Sequence, residues 1–169
     1  MGELEQRLQV LDRSGVTLTV IDTAGGISSL TTAAIRAADL CLIPARPSPA
    51  DIEATAPTLS AIRAFDKAFA FILNQTPVRS PRIENAASSL SEAASALDVS
   101  GVLAEPYIVL RNDHQDAFGA GLAVTEYALE GKSAEEMRGL WQWVSKKLAF
   151  GSPVHEQPAN DRSQLMVAG

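Results

Sequence analysis

The chain has 169 residues, 46% of them hydrophobic, enough for one domain with a sizeable core. A formal charge of −6 and a pI near 4.9 exclude a general attraction to nucleic acid or to an anionic membrane, leaving only local basic patches for such partners. The single cysteine, Cys41, excludes an internal disulfide and suits a reducing cytosol. No apolar run approaches the ~18 residues of a membrane span, and "MGELEQRLQVLDRSG" has no signal-peptide core. A cytoplasmic protein with no membrane partner is expected.

Leu4, Leu8 and Leu11 recur at helical spacing, with charged residues on the other faces and Ser14-Gly15 as a stop, so the chain opens on an amphipathic helix. Val16 to Ile21 is uncharged and rich in β-branched residues, which suits a strand buried on both faces. Further strands are expected at Leu40 to Ile43, with Cys41 buried, at Ala68 to Leu73, and at about Val102 to Leu110, interrupted by Pro106. Between them, Ser28 to Ala37, Pro49 to Phe65 and Arg82 to Leu97 read as helices. The last two are opened by Ser48 and Ser80 as caps ahead of a proline. A final helix, about Ser133 to Leu148, carries a core stripe of Met137, Leu140, Trp141, Val144 and Leu148. After Phe150 periodicity is lost and proline, serine and glycine accumulate, so residues 151–169 read as a flexible tail. Strand and helix alternate, which predicts an α/β, doubly wound, mainly parallel sheet in one domain over residues 1–150.

Ligands of such sheets bind beyond the carboxyl ends of the strands. There the sequence places Asp22-Thr23-Ala24-Gly25-Gly26, then Arg46, then Asn74-Gln75, then Arg111-Asn112-Asp113. A carboxylate at that edge can hold a metal-bound water, an amide can read a base or ribose, and glycine lets a loop approach phosphate. Asp22 can also simply end its strand, and Asn74 can be a turn residue. Arg46 and Arg111 suit a solvated rim as well as a site. His114 and His155 lack a partner at metal-ligand spacing and read as surface histidines.

Gly131-Lys132-Ser133 looks like the end of a phosphate-binding loop, but that pattern needs glycine where Glu126 stands, and no buried strand leads into it. Ser133 as N-cap with Glu136 completing a capping box is the reading preferred.

Four segments, "VTLTVIDTAGG", "AADLCLIPARPSPADI", "FILNQTP" and "GLAVTEYALEGKSAEEMRGLWQWV", taken in this order and at these separations, resemble the ParA/MinD class of partition ATPases, plasmid-type ParA above all. The likeness covers residues 1 to about 148. It implies a P-loop NTPase-like fold of the deviant Walker A type, with ATP and Mg²⁺ as cofactors. It further implies that Asp22 is the catalytic Walker B acid, acting on the metal through water, and that residues 23 to 29, with Thr23, Gly25 and Gly26, form the switch loop sensing the γ-phosphate. Asn74 would contact the adenine, and Pro106 to Arg111 would border the base pocket. The family's KGGxGKT loop does not occur in the 169 residues, so a truncated form missing the first strands and inactive alone is expected. The resemblance also implies a role in plasmid or chromosome segregation. Its partners would be another ParA-like chain, a ParB-like adaptor and non-specific DNA, the last bound weakly given few basic residues: Arg79, Arg82, Arg111, Lys132, Arg138, Lys146 and Lys147.

The alternative is a non-catalytic interaction module that pairs with a full-length ParA-like protein or an adaptor. A receiver-like domain with Asp22 as phospho-acceptor is disfavoured, because it needs further acids at an earlier strand end and no strand precedes Val16.

Overall fold

Side chains on a strand alternate between faces, and in this protein the alternation sorts the core into two halves. The structure, a computed structural model, describes residues 2–96, 101–148 and 164–168. Its elements in order are α1 Glu3–Arg13, β1 Leu18–Asp22, α2 Ser29–Ala37, β2 Leu40–Ala45, α3 Pro49–Ala54, α4 Ala56–Ala64 and β3 Ala68–Leu73, then α5 Pro81–Ser95, α6 Asn112–Gly119, α7 Val124–Tyr127, α8 Lys132–Lys147 and β4 Gln164–Ala168. Cys41, Ile43, Phe69, Phe71 and Leu73 face one way, against Ile35, Ile62, Ala86 and Leu90 of α2, α4 and α5. Leu40, Leu42, Ala70 and Ile72 face the other way, against Val144 of α8 and Leu148 just beyond it. The protein is therefore mixed α/β, with helices on both faces of a parallel sheet.

The strand order is β1-β4-β2-β3, and every pairing is parallel. Residues 164–168, expected in a flexible tail, instead form β4 and run between β1 and β2. Residues 151–163 and Gly169 lie outside the described residues. The registers Asp22↔Ala168 and Ala168↔Leu42 tie the carboxyl end of β1 to β2.

The expected strand from Val102 to Leu110 does not form. That segment makes two isolated parallel bridges, Phe71↔Leu103 and Thr76↔Val109, with Pro106 between them. Proline has no N–H for a ladder, so pairing stops and resumes across it. The expected helix from Pro49 to Phe65 is two helices, joined at Thr55, with Pro57 in the first turn of the second. Proline suits a helix start and breaks an interior. Ser48 and Ser80 cap α3 and α5 as their sequence positions imply. Leu97, the expected end of α5, lies outside the described residues.

Ser133 is not a cap. Gly131 holds that position, Ser133 is fully buried and donates to Asp113 Oδ2 at 2.7 Å, and Glu136 turns away to other partners. In α8, Trp141 of the expected core stripe is 47% exposed, while Trp143 packs on the core in its stead.

Two outcomes follow from the core. Burial pushes the Cys41 thiol up from an ordinary 9.0 to about 11, Lys67 opposing this only in part. The unfolded thiol ionises first, so stability due to this group is intact below pH 9 and falls as pH rises toward 11. Thiol reagents near neutral pH should leave Cys41 unmodified in the native chain and label it in urea, which mass spectrometry reads directly. Met166 of β4 is 8% exposed among Leu40 and Leu42. Met166→Asp, which buries a lone charge there, should lower unfolding free energy by ~3 kcal/mol or more in urea titrations.

Candidate functional site

All strands are parallel, so their carboxyl ends lie along one edge, and the residues that follow them share it. At one end of that edge is Asp22, exposed at the last position of β1. Thr23 and Gly26 border a cavity of about 20 Å³ with Thr31, Ile35 and Leu42. Gly26 has φ +91°, a left-handed conformation that favours glycine, and Ser28 then caps α2 by accepting from the Thr31 N–H at 3.1 Å. Gly25 is exposed, with open space where a side chain would be. This loop is thus shaped by local glycine and cap chemistry and leaves its outer surface free to approach a ligand.

Asn74 follows β3. Its backbone N–H donates to Ala45 O at 2.9 Å, and its Oδ1 accepts from the Gln75 N–H at 2.8 Å. Two strands, β4 and β2, separate it from Asp22. Three strand spacings of ~4.8 Å separate the two laterally by about 14 Å, and the registers Asp22↔Ala168↔Leu42↔Ala70 leave Asn74 four residues, about 13 Å, further along the strand direction, so they lie on the order of 19 Å apart. Arg46 lies between them in the fold but is occupied: its Nε donates to Asp51 Oδ1 at 3.1 Å on an exposed rim. The Ser48 hydroxyl, and after it Arg46, hold the Asp51 carboxyl below its ordinary pKa.

Around Asn74 the surface hollows into a groove of about 370 Å³, lined among others by Pro44, Ile72, Asn74, Arg111, His114 and Leu140. Its size and mostly apolar wall with a few polar atoms suit a small planar ligand. Arg111 is fixed by Glu136, whose Oε1 accepts from Arg111 Nη2 at 2.6 Å and whose Oε2 accepts from the Val109 N–H at 3.1 Å. One carboxylate thereby binds both the arginine and the backbone beside the groove. It also raises the arginine's pKa above its ordinary value. Two buried atoms of this wall, Arg111 Nε and His114 Nε2, have no hydrogen-bond partner. A buried polar atom without a partner is unfavourable, so the packing of Arg111 and His114 on this wall carries a local cost.

The groove brings together Asn74 and Arg111 of the residues anticipated from sequence. Pro106 is elsewhere: it packs on α8, where a Cβ on Gly139 would meet Pro106 Cδ at 2.7 Å. His114, expected at the surface, is half-buried in the groove, and Glu136 acts as the clamp. The signal for Glu136 was faint, since its partners lie 25 and 27 residues away in sequence.

A divalent ion coordinated chiefly by phosphate and water needs only one or two carboxylates. Asp22 fits that limited role. Among the described residues no group of three or more His, Cys, Asp or Glu could hold a metal by itself. The basic residues considered for DNA are partly engaged: Arg111 by Glu136, Arg138 by the Leu129 carbonyl at 2.9 Å, and Lys147 over the Trp143 ring. No helix among the described residues is long and apolar enough to cross a membrane.

Glu136→Ala should lower stability by about 1–3 kcal/mol, because it strands the Val109 N–H and frees Arg111. Glu136→Gln should lose less. Urea titration gives the magnitudes, and the Val109 amide resonance should move more in the alanine variant.

No protein-family model matches the chain and no characterised protein matches it in sequence, so the site stands on its own geometry.

Proposed function

We propose that this chain is a ParA/MinD-like nucleotide-binding domain of P-loop NTPase-like fold, in which the groove beside Asn74 receives the adenine base. The observation that carries this reading is the groove itself, which sits at the carboxyl edge of a parallel sheet and is lined by Asn74 among mostly apolar side chains. Asn74 supplies an amide able to pair with a base edge, while Pro44, Ile72 and Leu140 supply apolar surface for its faces. Asp22 stands on the order of 19 Å away, three strands across and four residues back along the strand direction, so only an extended nucleotide with its base in the groove would bring its phosphates toward it. There the carboxylate would orient water on a phosphate-bound Mg²⁺, and the 23 to 29 loop would meet the terminal phosphate. The biological setting implied is plasmid or chromosome segregation with a ParB-like adaptor and a second ParA-like chain.

The phosphate end is the weak end. β4 fills a central place in the sheet, but no KGGxGKT loop occurs in the sequence to supply lysines and N–H groups to the phosphates. Binding energy then comes from the base, and hydrolysis by the chain alone is not expected. The non-catalytic pairing module is the second reading, favoured by the absence of that loop.

Titration of the 169-residue chain with adenosine and with Mg·ATP separates the two. Weak affinity, similar for both ligands, is expected. It should come with a shift of the His114 ring resonances and be lost on Asn74→Ala. If neither ligand moves His114, the base-pocket reading fails and the pairing module stands. Tight, ATP-selective binding that depends on Asp22 would mean that another segment cradles the phosphates.

A further inference from the structure

Between α6 and α8 the chain turns a corner that is fixed from inside and apolar outside. Ala117 of α6, Val124 of α7 and Ser133 and Ala134 of α8 are buried, and α7 packs on both of its neighbours. Leu122 N–H donates to Ala117 O and Gly121 N–H to Phe118 O, both at 3.0 Å, which closes the turn after α6. Tyr127 N–H donates to Ala123 O at 2.9 Å and closes the next one. Two consecutive closed turns therefore hold Phe118, Leu122 and Tyr127 near one another. All three face solvent: Phe118 is 87% exposed, Leu122 and Tyr127 are close to half exposed, and Leu129, just beyond α7, is 62% exposed. Scattered single apolar residues are ordinary on a surface, but four of this size within twelve residues, on a hydrogen-bonded backbone, mark a docking surface.

The charge around this surface selects its occupant. Residues 112–131 contain four acids, Asp113, Asp116, Glu126 and Glu130, and no lysine or arginine. Asp116, Glu126 and Glu130 are exposed. The next cations along the chain, Lys132 and Arg138, are fewer, and Arg138 donates to the Leu129 carbonyl at 2.9 Å. A second copy of this chain would bring the same acids against these, and an anionic membrane or a nucleic acid would be repelled in the same way. The surface is built of helices and their turns, so it offers side chains to a partner and no strand edge.

We propose that the α6–α7 corner docks a cationic amphipathic helix of another protein. The apolar stripe of that helix lies on Phe118, Leu122, Tyr127 and Leu129, and its lysines or arginines lie toward Asp116, Glu126 and Glu130. Phe118 is the anchor, since it has the most apolar surface to remove from water, while the acids set the orientation of the partner and its rate of association. None of these residues lines the groove at Asn74, and the proposal does not rest on the nucleotide reading.

The probe is a fluorescein-labelled synthetic helix of about 18 leucines and lysines, with the leucines on one face, titrated with the full chain at physiological salt and followed by anisotropy. Saturable binding is expected. A peptide of the same composition with its leucines dispersed around the helix, and a striped peptide with glutamate in place of lysine, should each bind at least about tenfold more weakly. Phe118→Ser should also lose about tenfold in affinity, as should Asp116→Lys combined with Glu130→Lys, all with an unchanged circular dichroism spectrum. Leu122→Ser is the second apolar variant and should weaken binding in the same direction if Phe118→Ser misfolds. No binding of the striped lysine peptide would overturn the proposal. Equal affinity for the dispersed peptide, or affinity untouched by Phe118→Ser and Leu122→Ser, would overturn it too, since charge attraction alone would then be at work. A wild-type dimer in sedimentation that Phe118→Ser dissolves would give the surface to a second copy. Flotation with phosphatidylserine vesicles that Phe118→Ser abolishes would give it to a membrane, and either result sinks the proposal.

Discussion

The parallel pairing of β4 with both β1 and β2 is the contact on which the rest depends. β1 and β2 are close in sequence yet do not pair, and a segment from the far end of the chain lies between them. The register set by β4, Asp22↔Ala168↔Leu42, fixes how far the end of β1 projects relative to the end of β2. Since β2 and β3 are locked from Leu40↔Ala68 to Ala45↔Leu73, the distance from Asp22 to Asn74 is inherited from β4. Contacts of such long sequence separation are slow to form. Within the sheet, β1 is joined to β2 only through β4.

The groove depends on a different long-range contact. Glu136 reaches across from α8 to the Val109 N–H and to Arg111, two groups on the segment that also covers the β3 edge. One carboxylate thus steadies both the edge cover and the groove wall. Asp113 and Ser133 tie the same two regions a few residues away at 2.7 Å. With its wall held from behind, the groove can keep Arg111 Nε and His114 Nε2 unpaired without collapsing onto them.

The strands Leu18–Asp22, Leu40–Ala45 and Ala68–Leu73 were legible because each is a continuous apolar run of strand length ending in polar or proline-bearing sequence. Ser48 and Ser80 were legible as caps because a cap is a local interaction. What failed was non-local. Val102 to Leu110 has strand composition, but whether a run with a central proline forms a ladder depends on its neighbour. β4 is five residues at the end of a proline- and serine-rich stretch, too short for its own periodicity to stand out. Ser133 satisfies the sequence rule for a cap, yet the distant Asp113 claims its hydroxyl. Nothing local marks His114, since it has no partner at metal-ligand spacing and its place in the groove is set by α6, a short helix whose composition hardly marks it. Asp22 and Asn74 lie at the ends of β1 and β3, as the runs before them imply, Arg111 reaches the groove beside Asn74 although no strand precedes it, and Pro106 lies apart from that groove, against α8.

Among the described strands Asp22 pairs with β4 alone, and residues 24 to 30 of the loop that follows are all exposed. A strand added on the other side would hydrogen-bond the backbone up to the acid and narrow the range of positions that its carboxylate can take.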